Sequence, residues 1–255
     1  MFGISLRSRH SFTAAAAVTA ILFCTVSGAQ GRSQGKELLG SVGGLSQVAA
    51  SESMRDGAGL IEKWLKASQS YPSYEFDYQM TVYKRSGQVT ETGHLHFKRP
   101  RMLKIVETGG PHKGAVAILG ANGKVHAHAG GALKFFSVDL APDSDYLKSA
   151  NGWPMVESDF TSLAQAVKGY IANGDVPKES EPMVVPNRSE KLILWELYKG
   201  GAGGTLFKRA YFDPATNLPV EWWDYVDGKL WAHSNWTNFK ATELANAVFT
   251  MKGDK

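Results

Sequence analysis

Cysteine is almost missing from this chain of 255 residues: Cys24 is the only one. It falls in residues 13–26, an apolar and small-residue run that follows Arg7, Arg9 and His10 and leads into Ser27-Gly28-Ala29. A basic leader, a short apolar stretch and small residues at its end mark a secretory signal peptide, expected over residues 1–29. Cys24 follows Phe23 rather than the small residue that a lipid-attachment site needs, so it is expected to leave with the leader. The mature chain then has no disulfide, no thiol nucleophile and no cysteine-held metal. The apolar run is too short and wrongly flanked to cross a bilayer, so no stable transmembrane anchor is expected.

A strong charge of one sign is lacking too. Lys and Arg number 28 against 24 Asp and Glu, and without Arg7 and Arg9 the balance is 26 against 24, a net +2. The basic residues are scattered, so no nucleic-acid partner is expected. G-x-x-x-x-G-K-[ST] and G-x-G-x-x-G are absent, which leaves nucleotide binding without support. G-x-S-x-G is absent, and so is S-x-x-K with its partners, and no pair of carboxylates stands at a spacing that specifies a role. The chain reads as non-enzymatic, with no cofactor.

What is present is apolar: 43% hydrophobic content over roughly 220 mature residues is enough for one sizeable core. Residues 30–51, rich in Gly, Ser, Gln and Ala, read as a flexible linker, and 52–255 as a single domain. Leu60, Ile61, Trp64 and Leu65 recur at helical spacing and stop before Pro72. From Tyr74 to Lys84 apolar and polar residues alternate as in a half-buried strand, and Ser86-Gly87 is expected to turn the chain into a second strand over 89–99. Further strands are expected over 102–107, 115–119, 124–128, 133–138, 191–199, 206–212, 220–226 and 230–239. One helix is expected over 159–172, capped by Ser158 and stopped at Asn173-Gly174, followed by a polar loop over 175–187. The fold class is therefore mainly β with α: about 9–11 antiparallel strands in a strongly curved sheet or incomplete barrel, covered by helices.

The stretch Gly93 to Leu103 carries the sharpest signal. Read with period two, His94, His96 and Lys98 point one way while Leu95, Phe97 and Arg99 point the other, just before Pro100. An arginine thus shares a face with apolar side chains, and a guanidinium on such a face needs partners. The pairs His94/His96 and His126/His128 offer metal-binding geometry, yet each lies on the polar parity of its strand and lacks an obvious third ligand; both read as solvent-facing, with no metal. Trp195, Trp222, Trp223, Trp231 and Trp236 fall on late strands. Trp222 and Trp223 point to opposite faces, which leaves one ring for the core or for a greasy ligand.

Gly93-x-Leu95-x-Phe97-Lys98-Arg99-Pro100-x-x-Leu103 resembles the G-x-L-x-x-K-R-P strand of periplasmic lipoprotein carriers of the LolA/LolB fold. Ala121-Asn122-Gly123-Lys124 resembles their central turn, and residues 239–249 their closing strand. Asp77-Tyr78, Gly110-Pro111-His112-Lys113-Gly114, His128-Ala129-Gly130-Gly131 and Asp139-Leu140-Ala141-Pro142-Asp143-Ser144 resemble a family of exported bacterial proteins with that fold and no assigned activity. The likeness spans residues 58–250. It implies a curved sheet around an apolar cavity, closed by helices, in which the inward arginine bonds to the helical lid. That role falls on Arg99, and the two helices become the lid. Leu103 stands where the carriers favour an aromatic, a departure at the position tied to hand-off.

Expected cavity walls are Leu95, Phe97, Leu103, Tyr78, Met80 and Trp222, around an acyl-chain or lipid ligand, a lipoprotein among the candidates, with an inner-membrane protein as loading partner. Two other classes stay open: an envelope structural or partner-binding protein, and a histidine-dependent metal enzyme.

Overall fold

Alternation, turns and helical stripes become fifteen regular elements in a computed structural model that describes residues 54–201 and 203–251. The expected signal peptide and linker lie outside the described residues. In chain order the elements are β1 (Arg55–Asp56), α1 (Ala58–Ser70), β2 (Ser73–Lys84), β3 (Gly87–Lys98), β4 (Met102–Gly109), β5 (Val116–Leu119), β6 (Val125–His128) and β7 (Ser137–Leu140). Then come α2 (Phe160–Ala172), β8 (Val176–Glu179), β9 (Met183–Val184), β10 (Lys191–Lys199), β11 (Thr205–Asp213), β12 (Leu218–Val226) and β13 (Lys229–Ala241). Short 3-10 turns punctuate the connections, among them Asn246–Phe249 near the end.

The fold is mainly an antiparallel sheet of 13 strands, unclosed, with two α-helices. Its order is β1-β8-β10-β11-β12-β13-β2-β3-β4-β5-β6-β7, with β9 paired to β10 off that path. Two meanders are therefore stitched into one sheet where β13 meets β2. Residues from strands far apart in that order, such as Trp195 and Leu197 on β10 and Leu119 and Val125 on β5 and β6, belong to one core with Leu60, Ile61 and Trp64 of α1 and Phe160, Ala164 and Val167 of α2. One continuous core thus runs along the inner face from β10 to β6, with both helices packed into it. Each fully buried Leu, Ile or Phe in that core contributes roughly 2 kcal/mol.

Several expectations change in detail. Two extra strands, β1 and β9, have two residues each, too short to show any period. The stretch 175–187, read as a polar loop, contains β8 and β9; Pro177 hides β8, yet it pairs with Leu197 of β10. The helix cap is Asp159 rather than Ser158: its Oδ1 accepts from the N–H groups of Thr161 and Ser162 at 2.9 and 3.0 Å. The β2–β3 turn sits one residue earlier than expected, with Lys84 opposite Gly87.

The closing strand implied over 239–249 does not form beyond Ala241. The chain instead crosses the outer face, where Leu244 and Phe249 bury against Val116 and Ile118 of β5 with Met102 and Val106 of β4. Ser73 fixes the departure, donating from its Oγ to Thr242 O at 2.5 Å and accepting from Leu244 N at 3.1 Å. Lys98 Nζ donates to Leu244 O at 2.6 Å and to Asn246 Oδ1 at 2.8 Å. Burial of two large apolar side chains outweighs continued pairing there.

Candidate binding site

Arg99 stands where β3 leaves the sheet. Its backbone N–H donates to Pro72 O at 2.9 Å, which brings the start of β2 alongside. The guanidinium then reaches to both helices. Nε donates to Tyr71 O at 3.2 Å, and Nη2 donates to Ser68 O at 3.1 Å and to Thr161 Oγ1 at 3.3 Å. Ser68 and Tyr71 belong to the C-terminal end of α1, where unpaired carbonyls and the helix dipole favour a cation. Thr161 lies in the first turn of α2 and donates its own hydroxyl proton to Ser68 Oγ at 3.1 Å. One side chain thus ties the sheet rim to two helices, and it also lies 5.8 Å above the Phe97 ring.

Behind Arg99 the apolar face is aromatic. Tyr74 stacks on Phe97 at 4.9 Å and on Phe160 at 5.5 Å, and Phe76 stacks on Phe160 at 4.8 Å. Tyr74 Oη accepts from Phe160 N at 3.0 Å, so a β2 phenol caps α2. Burial leads and nearby Asp159 adds in pushing that phenol well above its ordinary range, so Tyr74 stays neutral. Leu95, Phe97 and Leu103 are each under 4% exposed and lie in this core. Trp222 joins it from the other meander, 5.8 Å from Trp195 and 6.0 Å from Trp64, whereas Trp223 faces outward, stacked on His233.

Tyr78 and Met80 depart from that group. Met80 packs in a separate cluster with Val82 and Ala232. Tyr78 touches the core but its hydroxyl donates to Glu107 Oε1 at 2.5 Å, crossing β3 at Gly93. A Cβ on Gly93 would stand 2.4 Å from that hydroxyl, so only glycine lets the ring lie there.

An inward acidic pair was missed. Glu91, buried at 3% exposure, accepts from Ala150 N at 3.1 Å and lies 3.9 Å from His112 Nε2. Burial pushes the Glu107 carboxyl up to about 7; the Tyr78 hydrogen bond opposes this and the Glu91 charge adds to it. Glu107 Oε2 has no hydrogen-bond partner among the described residues. The signal was available, because Glu91 shares the inward parity of Leu95 and Phe97 on β3.

The histidine pairs also need correction. His128 is buried rather than solvent-facing, with Nδ1 2.9 Å from Ala129 O. His126 is exposed and meets Asp139 at 2.7 Å. His94 and His96 do face outward, but a third side chain able to bind metal joins them: Glu75 lies opposite His96 in the β2–β3 register.

No family model matches the chain, and no curated protein matches it. Solved structures do. A DUF1329 family protein from Desulfovibrio piger aligns over 75% of this chain and 96% of its own, at 9% identity and a TM-score of 0.39. A LolA superfamily protein from Nitrosomonas europaea aligns over 77% of this chain and 98% of its own, at 12% identity and 0.41. In the MucA/MucB complex of Pseudomonas aeruginosa, the match covers 77% of this chain and 61% of that one, at 12% identity and 0.42. The functional reading therefore rests on this chain's own residues.

Proposed function

We propose that this chain is a non-catalytic carrier or binding protein of the periplasm that takes an acyl chain, from a lipid or a lipoprotein, between its curved sheet and its two helices. The observation that carries the reading is Arg99, whose guanidinium contacts run from the sheet rim to the end of α1 and the start of α2. Separating the helices from the sheet breaks these bonds and exposes Leu95, Phe97, Leu103 and the Tyr74–Phe160 stack, which is the surface an acyl chain would cover. Tyr78 and Trp222 flank that surface, and Met80 lies farther along β2.

The magnitudes are compatible with a reversible latch. Hydrogen bonds from a charged donor are worth about 1.5–3 kcal/mol each at good geometry, and these three are long, so together they hold the helices with a few kcal/mol. Each methylene taken from water contributes roughly 0.8 kcal/mol, so burying about eight of them gives about 6 kcal/mol. An acyl chain of that length thus offsets the latch bonds, provided that it also covers the apolar side chains the helices leave, which a short ligand would not do.

The test is lipid extraction and mass spectrometry on the untagged protein purified from a bacterial periplasm, paired with uptake and release of a fluorescent fatty acid. The wild type is expected to carry acyl lipid, and Arg99→Leu to fold yet hold or release the probe at altered rates. A wild type free of lipid, with unchanged probe kinetics in the variant, refutes the reading.

A further inference from the structure

The outer face of the β2–β3 hairpin gathers four polar side chains into a square. Glu75 lies opposite His96 and Asp77 opposite His94, and residues two apart on a strand share a face. His94 Nδ1 meets Asp77 Oδ1 at 2.5 Å, and Asp77 Oδ2 accepts from Asn238 Nδ2 at 2.7 Å. With Nδ1 so engaged, His94 turns Nε2 toward Glu75 Oε2, 3.8 Å away. His96 Nδ1 lies 3.4 Å from that same oxygen. The two imidazoles meet at 4.4 Å between centroids and 62° between planes, so their edges converge rather than stack. His96 Nδ1 is buried yet has no hydrogen-bond partner among the described residues.

We propose that Glu75, His94 and His96 bind a divalent transition-metal ion of the zinc and copper class, with Asp77 as the positioning residue that orients His94. Candidate ligand atoms of the three residues all lie within 4.8 Å of one another. A tetrahedral ion with bonds near 2.0–2.1 Å holds its ligand atoms about 3.3 Å apart, so small side-chain shifts close the observed spacings. Two imidazole nitrogens and one carboxylate oxygen suit zinc or copper, whereas calcium and magnesium want a shell of oxygens. The Asp77–His94 contact is the carboxylate–histidine arrangement that fixes the tautomer of a metal-bound imidazole.

Charge sets the strength. Glu75 divides its oxygens, Oε1 facing Lys240 Nζ at 3.7 Å and Oε2 facing the histidines. Lys104, opposite His96 across β3–β4, brings a second cation to the rim. These charges weaken binding relative to an all-acidic surround. The three residues lie on the outer face of the hairpin, opposite the interior surface that Arg99 closes.

The experiment titrates the untagged full protein with Zn²⁺ alone, in competition with a chromophoric chelator. About one equivalent is expected. His94→Ala and His96→Ala should each weaken binding by at least about tenfold, and Asp77→Asn by roughly 10–100-fold. His126→Ala, on a different strand, should leave it unchanged. Because a variant can misfold, Cu²⁺ electron paramagnetic resonance on the wild type gives a second readout, with hyperfine coupling to two nitrogens expected. A copper spectrum without nitrogen coupling, or wild-type Zn²⁺ binding in folded His94→Ala and His96→Ala, overturns the assignment.

Discussion

Replacing Arg99 by methionine removes the guanidinium while keeping a side chain of similar reach. Ser68 O and Tyr71 O lose their donors, and Thr161 Oγ1 loses one of its two contacts. Ser68 is fully buried, so water does not readily replace the lost donor. Three long charged hydrogen bonds at the low end of their range, set against the apolar gain of methionine, put the loss at about 2–4 kcal/mol. For a domain of this size that is a fall in Tm on the order of 10 °C. Hydrogen exchange separates a latch from a general stabiliser. Amides at the end of α1 and the start of α2 should exchange faster in the variant, while the β2–β3 ladder keeps its protection. Arg99→Lys should rescue little, since an ammonium cannot serve three acceptors in a planar fork. A stability change below about 0.5 kcal/mol, or faster exchange spread evenly over sheet and helices, would refute the coupling of rim to helices.

Gly93→Ala should cost about 2–3 kcal/mol in urea denaturation, because the new Cβ meets the Tyr78 ring at 2.4–2.6 Å and pushes it from Glu107; an unchanged midpoint contradicts this. Trp195→Phe should destabilise more than Trp64→Phe, by roughly 1 kcal/mol: both rings are fully buried, but Trp195 Nε1 donates to Gly57 O at 3.1 Å while Trp64 Nε1 has no partner among the described residues, and equal losses would refute the distinction. Glu107, pushed up to about 7 from an ordinary 4.5, keeps a proton in the folded state that the unfolded chain has lost. Its contribution is therefore whole below about pH 4.5 and disappears as pH rises through 7; at 1.36 kcal/mol per unit, reduced for partial solvent access, the swing is about 1–2 kcal/mol. Thermal melts at pH 5 and 7.5 should show that Glu107→Gln removes this part of the slope, and identical slopes in variant and wild type would refute it.

The interior half of the β2–β3 hairpin was legible because one face of each strand is apolar. With Leu95 and Phe97 fixed inward by period two, Arg99 had to follow them, and the apolar spacing of residues 160–171 announced α2 in the same way. The outer half was not legible, because its partners depend on register rather than parity. A turn at Ser86-Gly87 would set His96 opposite Asp77 and His94 opposite Gln79. The actual turn at Arg85-Ser86 moves each partner by two residues, which puts Glu75 opposite His96 and Asp77 opposite His94. No local preference separates the two turns strongly; the observed register sets Tyr74 opposite Phe97, where the two rings stack. The bond from Tyr78 to Glu107 is hidden for a related reason: it spans three strands and requires the β3–β4 pairing as well. The departure of the chain after Ala241 depends on apolar surface left uncovered on β4 and β5, which no window of the terminal sequence contains.

The two faces of this hairpin bear on different parts of the molecule at neighbouring residues. Lys98 points outward and holds the terminal segment through Leu244 O and Asn246, while Arg99, the next residue, points inward and holds both helices. Because side chains alternate across a pleated strand, contacts on one face change without displacing those on the other unless the backbone itself moves. The backbone here is paired on both sides, to β13 and β4, and is therefore stiff. A metal bound by Glu75, His94 and His96 would clamp β2 to β3 and stiffen it further. The helices, by contrast, meet the sheet through the Arg99 guanidinium, the Tyr74 hydroxyl that accepts from Phe160 N, and an apolar surface. Fewer hydrogen bonds join helices to sheet than join strand to strand, so the opening proposed for an acyl chain falls at that joint rather than within the ladder.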